Sequence, residues 1–584
     1  MYKIFKKLCL TIRRFIIFLV NIFMAFGFFK FIIGIVFFIF IYLIISLYNY
    51  MYIENIIFFY FYYTIYSTIL IFLFSYYSKY FSANTIYIYY NYYILLVITI
   101  VVQFVSLNSI FNFTFGLEIF SYINSFIHKN IVFDYNNTSC LFSSITIQIA
   151  VFSNIFSYYY NYLEVGKYRF FLILNYFVFS MVFLLHSKSI IILFLFWELI
   201  GFSSFFLINF FSLKQSVFKS ALKAMFFNKI SDFSLLLAML LYYIVTNTFV
   251  ITEGTLNFFI FNPLFINFFF FKITTLNLFI FFLAIAAFIK SAQFFFHWWL
   301  PDSMEAPLPA SALIHSATLV ASGVYLFFKF YNVILYNSKY INIFLLINSF
   351  TFFMGAVVAS LQSDLKKILA YSTISNCGLM FTSLLSLGEL YTIFFFLMHG
   401  YYKSISFLIL SFFIISFYHR QDIRNINSNN VEFLLIGAIL AINLMSLSSW
   451  FFLSNSYIKH QIISYSNYNL LNKIFLILGT LFSYQYSIRL LYLFTNNRIN
   501  SVKKYVKSSN DINYYITICV YINSIILVSL FILNIKKIYI LNDIYLNKYI
   551  IYIMFYQIFI NLLLIYKKNI NFVRLIVLCF LFIL

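Results

Sequence analysis

Glu198 stands in the middle of IIILFLFWELIGFSSFFLINFF, and Lys290 follows LFIFFLAIAAFI, each with apolar neighbours on both sides. A charge at such a position costs roughly 2.5–3.5 kcal/mol on membrane-insertion scales, so it calls for an opposite charge, a water-filled cavity or a change of protonation. Residues 289–323, IKSAQFFFHWWLPDSMEAPLPASALIHSATLVASG, add His297 and His315 and contain Pro301, Pro307 and Pro309, three of the four prolines of the chain. His297 comes seven residues after Lys290, two turns along one face if the helix runs on through SAQFFFHWW. Pro301 then ends or kinks that helix. The next helix is expected to begin near Ser311, an N-cap type, with His315 on its first turns. In LMHGYYKSISFLIL, His399 and Lys403 are four apart and share one helix face. KSALKAMFFNKISDF places Lys219 and Lys223 four apart, and Lys229 three before Asp232, an intrahelical pair by spacing. Asp364, Lys366 and Lys367 open a further helix, where charges at a membrane surface explain them as well as function does.

Lysines, histidines and a few carboxylates on successive helices can each take up and release a proton under the control of their neighbours. The sequence offers no nucleophile elbow, phosphate loop or metal-ligand spacing as a competing chemistry. Cys9, Cys140, Cys377, Cys519 and Cys579 are scattered, without CxxC or other ligand spacing, so no iron–sulfur, haem or zinc site can be argued from them. Each group also has a plainer reading. A charge pair can simply lock two helices, a lysine near a helix end can reach for the interface, and a lone histidine is usually packed and satisfied. What tells against the plainer reading is the break. Irregular backbone at membrane depth is tolerated only where protein or water covers it, and broken helices mark ion sites in transporters.

The elements that must hold these groups are membrane helices. Hydrophobic residues make up 64% of the 584 positions and charged ones 9%. Apolar runs of about twenty residues recur without the alternation of barrel strands, which gives an all-α polytopic protein of about 15 spans. The net charge of +22 is gathered in short segments between spans, such as Arg498, Lys503, Lys504 and Lys507. That is the positive-inside pattern rather than the solvated basic surface of a nucleic-acid binder. The basic start, MYKIFKKLCLTIRRFIIFLV, runs into apolar sequence too long for a signal peptide and is expected to be a retained span. Abundant Phe and Tyr (86 and 52) against scarce Gly and Pro (13 and 4) fit an A/T-rich genome such as many organelles carry. The chain divides into N-terminal helices (1–127), a half with the broken helix near 288–310 (128–332), a second half (333–495) and a C-terminal region (496–584). Loops are expected at 252–275, 417–431 and 495–512.

These segments also carry a resemblance. KSAQFFFHWWLPDSMEAPLPASALIHSATLVASGVY and FWELIGFSSFFLINF, followed in order by ALKAMFFNKISDF, SDLKKILAYSTISNCGLM, HGYYKSISFL, QDIR and YSIRLLYLF, resemble the subunit 5 family of NADH dehydrogenase. Its members are the distal antiporter-like membrane subunits of respiratory complex I. The resemblance runs from about residue 130 to 495, and the neighbouring antiporter-like subunits 2 and 4 differ around the broken helix. It implies two inverted repeats, and a proton relay in which Glu198 and Lys290 interact, His315 links the halves, and His399 with Lys403 continues the path. Lys459, in SNSYIKHQII, matches the lysine of a second broken helix, but the usual Gly-Pro and the following acid are missing, His460 standing in the acid's place. Lys223 and His297 are secondary candidates. The resemblance further implies no redox cofactor in this chain, with NADH, FMN, iron–sulfur clusters and ubiquinone on other subunits. It implies a place in the mitochondrial inner membrane beside the neighbouring antiporter-like subunit, and a long lateral helix for which the tail leaves little room. A subunit of a multi-subunit sodium/proton antiporter, which shares this ancestry, is the alternative; a scaffold with purely structural charge pairs is a third.

Overall fold

Helices that are apolar all round, rather than along one stripe, belong inside a bundle or against lipid. In order these are α1 (Asn137–Tyr160), α2 (Lys167–His186), α3 (Ile190–Ile208), α4 (Gln215–Thr246) and α5 (Glu253–Phe261). Then come α6 (Thr275–Lys290), α7 (Trp299–Asp302), α8 (Leu308–Ser316), α9 (Leu319–Lys329) and α10 (Tyr331–Leu335). The last are α11 (Ser338–Leu361), α12 (Leu365–Leu387), α13 (Glu389–Ser416), α14 (Ser454–Tyr465) and α15 (Leu470–Thr495). This computed structural model describes residues 116–117 and 132–495, except 135, 162–163, 165, 269–270, 417–420, 423–439, 442, 450–453 and 466–469. The rest of the expected N-terminal helices, most of the loop at 417–431, the C-terminal region with its lateral helix, and Cys9, Cys519 and Cys579 lie outside the described residues. Eight described segments are long and apolar enough to cross a membrane. The chain is an all-α polytopic membrane protein. Its only described strands are two short antiparallel pairs, Gly116–Leu117 with Phe133–Asp134 and Phe265–Phe268 with Phe271–Thr274. The second pair and α5 replace the plain loop expected over 252–275, α5 being started by a capping box at Thr252 and Thr255.

The helices alternate in direction, and their ends meet at two levels. At one end Lys188 N–H donates to Val132 O and Ile190 N–H to Phe249 O, bringing the α2–α3 turn beside the end of α4. At the other, Leu365 N–H donates to Gln421 O and the Arg489 guanidinium to Ser360 O. Lys167, Arg169, Lys214, Lys219, Lys367 and Arg489 belong to this second end.

Between α6 and α9 the path is interrupted twice. α6 stops at Lys290, earlier than the prolines suggested. Its end is a Schellman motif: Gln293 N–H donates to Phe288 O and Ala292 N–H to Ile289 O, with Ala292 in the left-handed region at φ 51°. The Ser291 hydroxyl takes Ala287 O (2.7 Å) and the Trp299 indole takes Ile289 O (2.9 Å), so the terminal carbonyls stay satisfied at membrane depth. Phe295 is also left-handed, at φ 75°. The sequence SAQFFFHWW therefore does not extend the helix, and His297 does not share a helical face with Lys290. α8 begins at Leu308, not Ser311, with Pro309 in its first turn, where a missing N–H costs nothing. His315 accordingly sits in its last turn, just before the second interruption at Ala317–Thr318. Gly323 brings α9 against α6: a Cβ there would lie 2.5 Å from Ala287 O. Small residues permit such close contact between membrane helices.

Candidate functional site: two groups of charged side chains

The first group lies where α3, α4 and the end of α6 meet. Lys290 is fully buried. Its ammonium donates to Trp197 O (3.1 Å), lies 5.2 Å from the Trp197 ring centroid and stands 3.7 Å from Asp232 Oδ1. Asp232 Oδ2 is 3.7 Å from Lys229, and Lys229 is 2.5 Å from Glu198 Oε1. The order is Glu198, Lys229, Asp232, Lys290, with alternating charge. Glu198 and Lys290 are thus not in direct contact as the resemblance implied; Lys229 and Asp232 of α4 stand between them. The reason is geometric. Lys229 reaches Glu198 first, and Asp232, one turn on, is left facing the end of α6. The spacing of Lys229 and Asp232 had marked a pair, but not that it joins two other charges. The site is tight around the ammonium: a Cβ on Gly201 would come within 3.1 Å of it.

The second group lies among α8, α12, α13 and α14. His315, His399, Lys403 and Lys459 are all buried, none more than 1% exposed. His315 Nε2 is 3.2 Å from Ser303 Oγ, and its ring packs against Phe407 at 5.8 Å between centroids. Lys403, one turn after His399, donates to Leu369 O (3.1 Å) and to the Ser372 hydroxyl. The His399 ring, both nitrogens buried, lies beside the backbone of Ser316. Lys403 is within electrostatic reach of both His315 and His399, and Lys459 of both His399 and Lys403. Lys459 itself donates to Leu447 O, two residues before Ser449, which is left-handed at φ 65°.

The two secondary candidates lie towards the second end. Lys223 pairs with Asp302 at 2.6 Å, both about two-fifths exposed, and so joins α4 to α7 at the mouth of the break, apart from both groups. His297 borders a small open cleft between the break and α11 and α12, together with Phe294, Thr351, Gly355 and Tyr371. Lys366 departs from its surface reading. It is 6% exposed, and its ammonium donates to Met304 O (3.1 Å) and Ala306 O (3.4 Å). A lysine at a helix start reads as a surface charge; that this one turns inward to the broken segment had no signal in the sequence. No cluster of His, Cys, Asp or Glu suited to a metal occurs among the described residues.

Buried lysines and histidines beside interrupted membrane helices mark an antiporter-like membrane protein. A family profile described as NADH:quinone oxidoreductase/Mrp antiporter, TM, matches residues 187–484, about half of the chain, and the chain belongs to that family. Its curated relatives include proteins named NADH-ubiquinone oxidoreductase chain 5. That of Paramecium tetraurelia is 41% identical over 300 residues, 51% of this chain and 52% of the relative. That of Chondrus crispus is 33% identical over 381 residues (62% and 57%), and that of Phytophthora infestans 31% over 420 (69% and 62%). The chain thus spans about half to three-fifths of the length of these relatives. A chain of the membrane-bound sulfane sulfur reductase, an archaeal respiratory membrane complex, shares the fold, with a TM-score of 0.64 at 15% identity over 81% of this chain and 95% of that one.

Proposed function

We propose that this chain is a proton-translocating membrane subunit of a respiratory NADH:ubiquinone oxidoreductase of the mitochondrial inner membrane. NADH oxidation and quinone reduction take place on other subunits, with their flavin, iron–sulfur clusters and quinone, and this chain supplies proton-carrying side chains and no redox cofactor. Its neighbour in the bilayer is another antiporter-like subunit of the same complex. The observation that carries this reading is the pairing of two groups on either side of the broken segment: Glu198–Lys229–Asp232–Lys290, which runs from the half-exposed Glu198 and Lys229 to the buried Asp232 and Lys290, and the buried His315–Lys403–His399–Lys459. Lys290 has no direct contact with His315, so a proton passes between the groups only when water enters the break. Opening and closing of the charge chain at Lys290 sets whether it holds or yields its proton. Domain boundaries at 127, 332 and 495, with the two halves as inverted repeats, belong to the same proposal.

The test uses assembled complex in proteoliposomes, with NADH and a short-chain quinone, reading acidification by a trapped dye. His315→Phe keeps the volume but carries no proton, and reduced proton output or coupled turnover is expected. Unchanged stoichiometry and rate would make His315 packing only. The family description also names Mrp antiporters, so sodium is the control: sodium-driven acidification without NADH would transfer the assignment to a sodium/proton antiporter.

A further inference from the structure

Ser303 Oγ lies between two partners. It is 2.5 Å from Leu300 O and 3.2 Å from His315 Nε2. A serine hydroxyl has one proton to give and can accept as well. A carbonyl oxygen can only accept, so the proton of Ser303 goes to Leu300 O. The same oxygen must then accept from His315, and Nε2 is the ring nitrogen that carries hydrogen. His315 Nδ1 is buried and takes no hydrogen bond from the described residues. In a neutral imidazole with Nε2 protonated, Nδ1 holds the lone pair.

We infer that Ser303 is a positioning residue for the relay, fixing His315 as the Nε2–H tautomer so that an arriving proton is taken up at Nδ1. The inference rests on the proposed relay role of His315. The turn that holds Ser303 is itself held from outside. Ser303–Glu305 form a single 3-10 turn, and Lys366 of α12 donates to the carbonyls of Met304 and Ala306. Lys223 of α4 holds Asp302 on the other side. Ser303 is fully buried, as is His315, so no bulk solvent competes for either atom. The charged group within electrostatic reach of His315 is Lys403 of α13. Proton uptake at Nδ1 makes His315 a cation that keeps its Nε2–H bond to Ser303. Release of the Nδ1 proton restores the starting tautomer with no ring flip. Release from Nε2 instead would leave the opposite tautomer, with two lone pairs, on Ser303 Oγ and Nε2, facing each other. Ser303 therefore acts as a latch that favours return through the same atom, and it makes the direction of transfer depend on what faces Nδ1.

The experiment uses assembled complex carrying Ser303→Ala, Ser303→Thr or His315→Phe. A neutral hydrogen bond is worth about 1 kcal/mol, equivalent to a roughly fivefold tautomer preference. Ser303→Ala is expected to lower coupled NADH oxidation by roughly that factor, with assembly retained and with a changed pH profile of proton output. Ser303→Thr, which keeps the hydroxyl, restores both. Nitrogen-15 spectra of histidine-labelled complex provide the direct readout: the His315 signal is of the Nε2–H form in the parent and mixed in Ser303→Ala. A parent-like pH profile and an unmoved tautomer signal in Ser303→Ala would overturn the inference. If His315→Phe itself pumps normally, the relay reading fails instead, whatever Ser303 does.

Discussion

Neutralising Asp232 is the sharpest test of how Lys290 is controlled. Lys290 Nζ and Asp232 Oδ1 are 3.7 Å apart, with side chains 0% and 7% exposed, so solvent hardly screens them. At an effective dielectric of about 20 the attraction is about 4 kcal/mol. Asp232→Asn removes it and leaves Lys229 as a nearby like charge. The chain Glu198, Lys229, Asp232, Lys290 then changes from neutral to a net charge of about +1, counted from the formal charges. The Trp197 carbonyl, the Trp197 ring, the negative end of α6 and the more distant Glu198 remain to favour the ammonium. A loss of about 4 kcal/mol changes the balance between charged and neutral lysine by about a thousandfold, so Lys290 can no longer reload. Proteoliposomes of Asp232→Asn complex are expected to acidify at under about a tenth of the parent rate, and Asp232→Glu to retain part of it. Glu198→Gln acts at one remove, through Lys229, and is expected to cost less. A direct Glu198–Lys290 pair would demand the reverse order. Parent-like pumping by assembled Asp232→Asn complex, or a Glu198→Gln defect larger than that of Asp232→Asn, would refute the reasoning.

The break and the helix contact can be tested through assembly. Ala292 adopts φ 51° and is fully buried, so Ala292→Gly is expected to assemble at least as well as the parent, its lower backbone strain roughly offsetting its greater unfolded entropy. Ala292→Val, β-branched in a left-handed position, is expected to lower the yield of intact complex on native gels; equal yields would mean that the left-handed turn is not what ends α6. Gly323→Ala places a Cβ 2.5 Å from Ala287 O and must push α9 from α6, so a several-fold lower yield of intact complex is expected; parent-like yield and thermal stability would show that the contact gives way freely.

What could be read in advance followed from cost. A lysine or carboxylate in a run of Phe, Ile and Leu is too expensive to be accidental, so Lys290, Lys403 and Glu198 stood out as single letters, and the helices around them followed from the length of the apolar runs. His315 and His399 were marked by position, one beside the proline-rich break and one a turn from a buried lysine. Partnership was not legible, because it depends on where α4 lies against α3 and α6. Lys229 and Asp232 looked complete as a pair on one helix, and nothing along the chain says that each also holds a second charge.

The position of the break was hidden for a different reason. Helix ends are usually found by glycine in the left-handed position, and here that position is Ala292, while the prolines that draw the eye come nine residues and more beyond. An alanine held at φ 51° carries strain of about 1–2 kcal/mol, and the surrounding bonds must hold it there. They do so from several directions: Ser291 on Ala287 O, Trp299 on Ile289 O, and Lys366 and Lys223 on the segment beyond. Those bonds link residues far apart in sequence, which is why the same letters that showed a helix must break did not show where. They also explain why the break can serve the proposed relay. Its backbone is tied down on the protein side, so the groups left to move are the charged side chains, and the longest ties in the first group are the two 3.7 Å contacts of Asp232, to Lys229 and to Lys290.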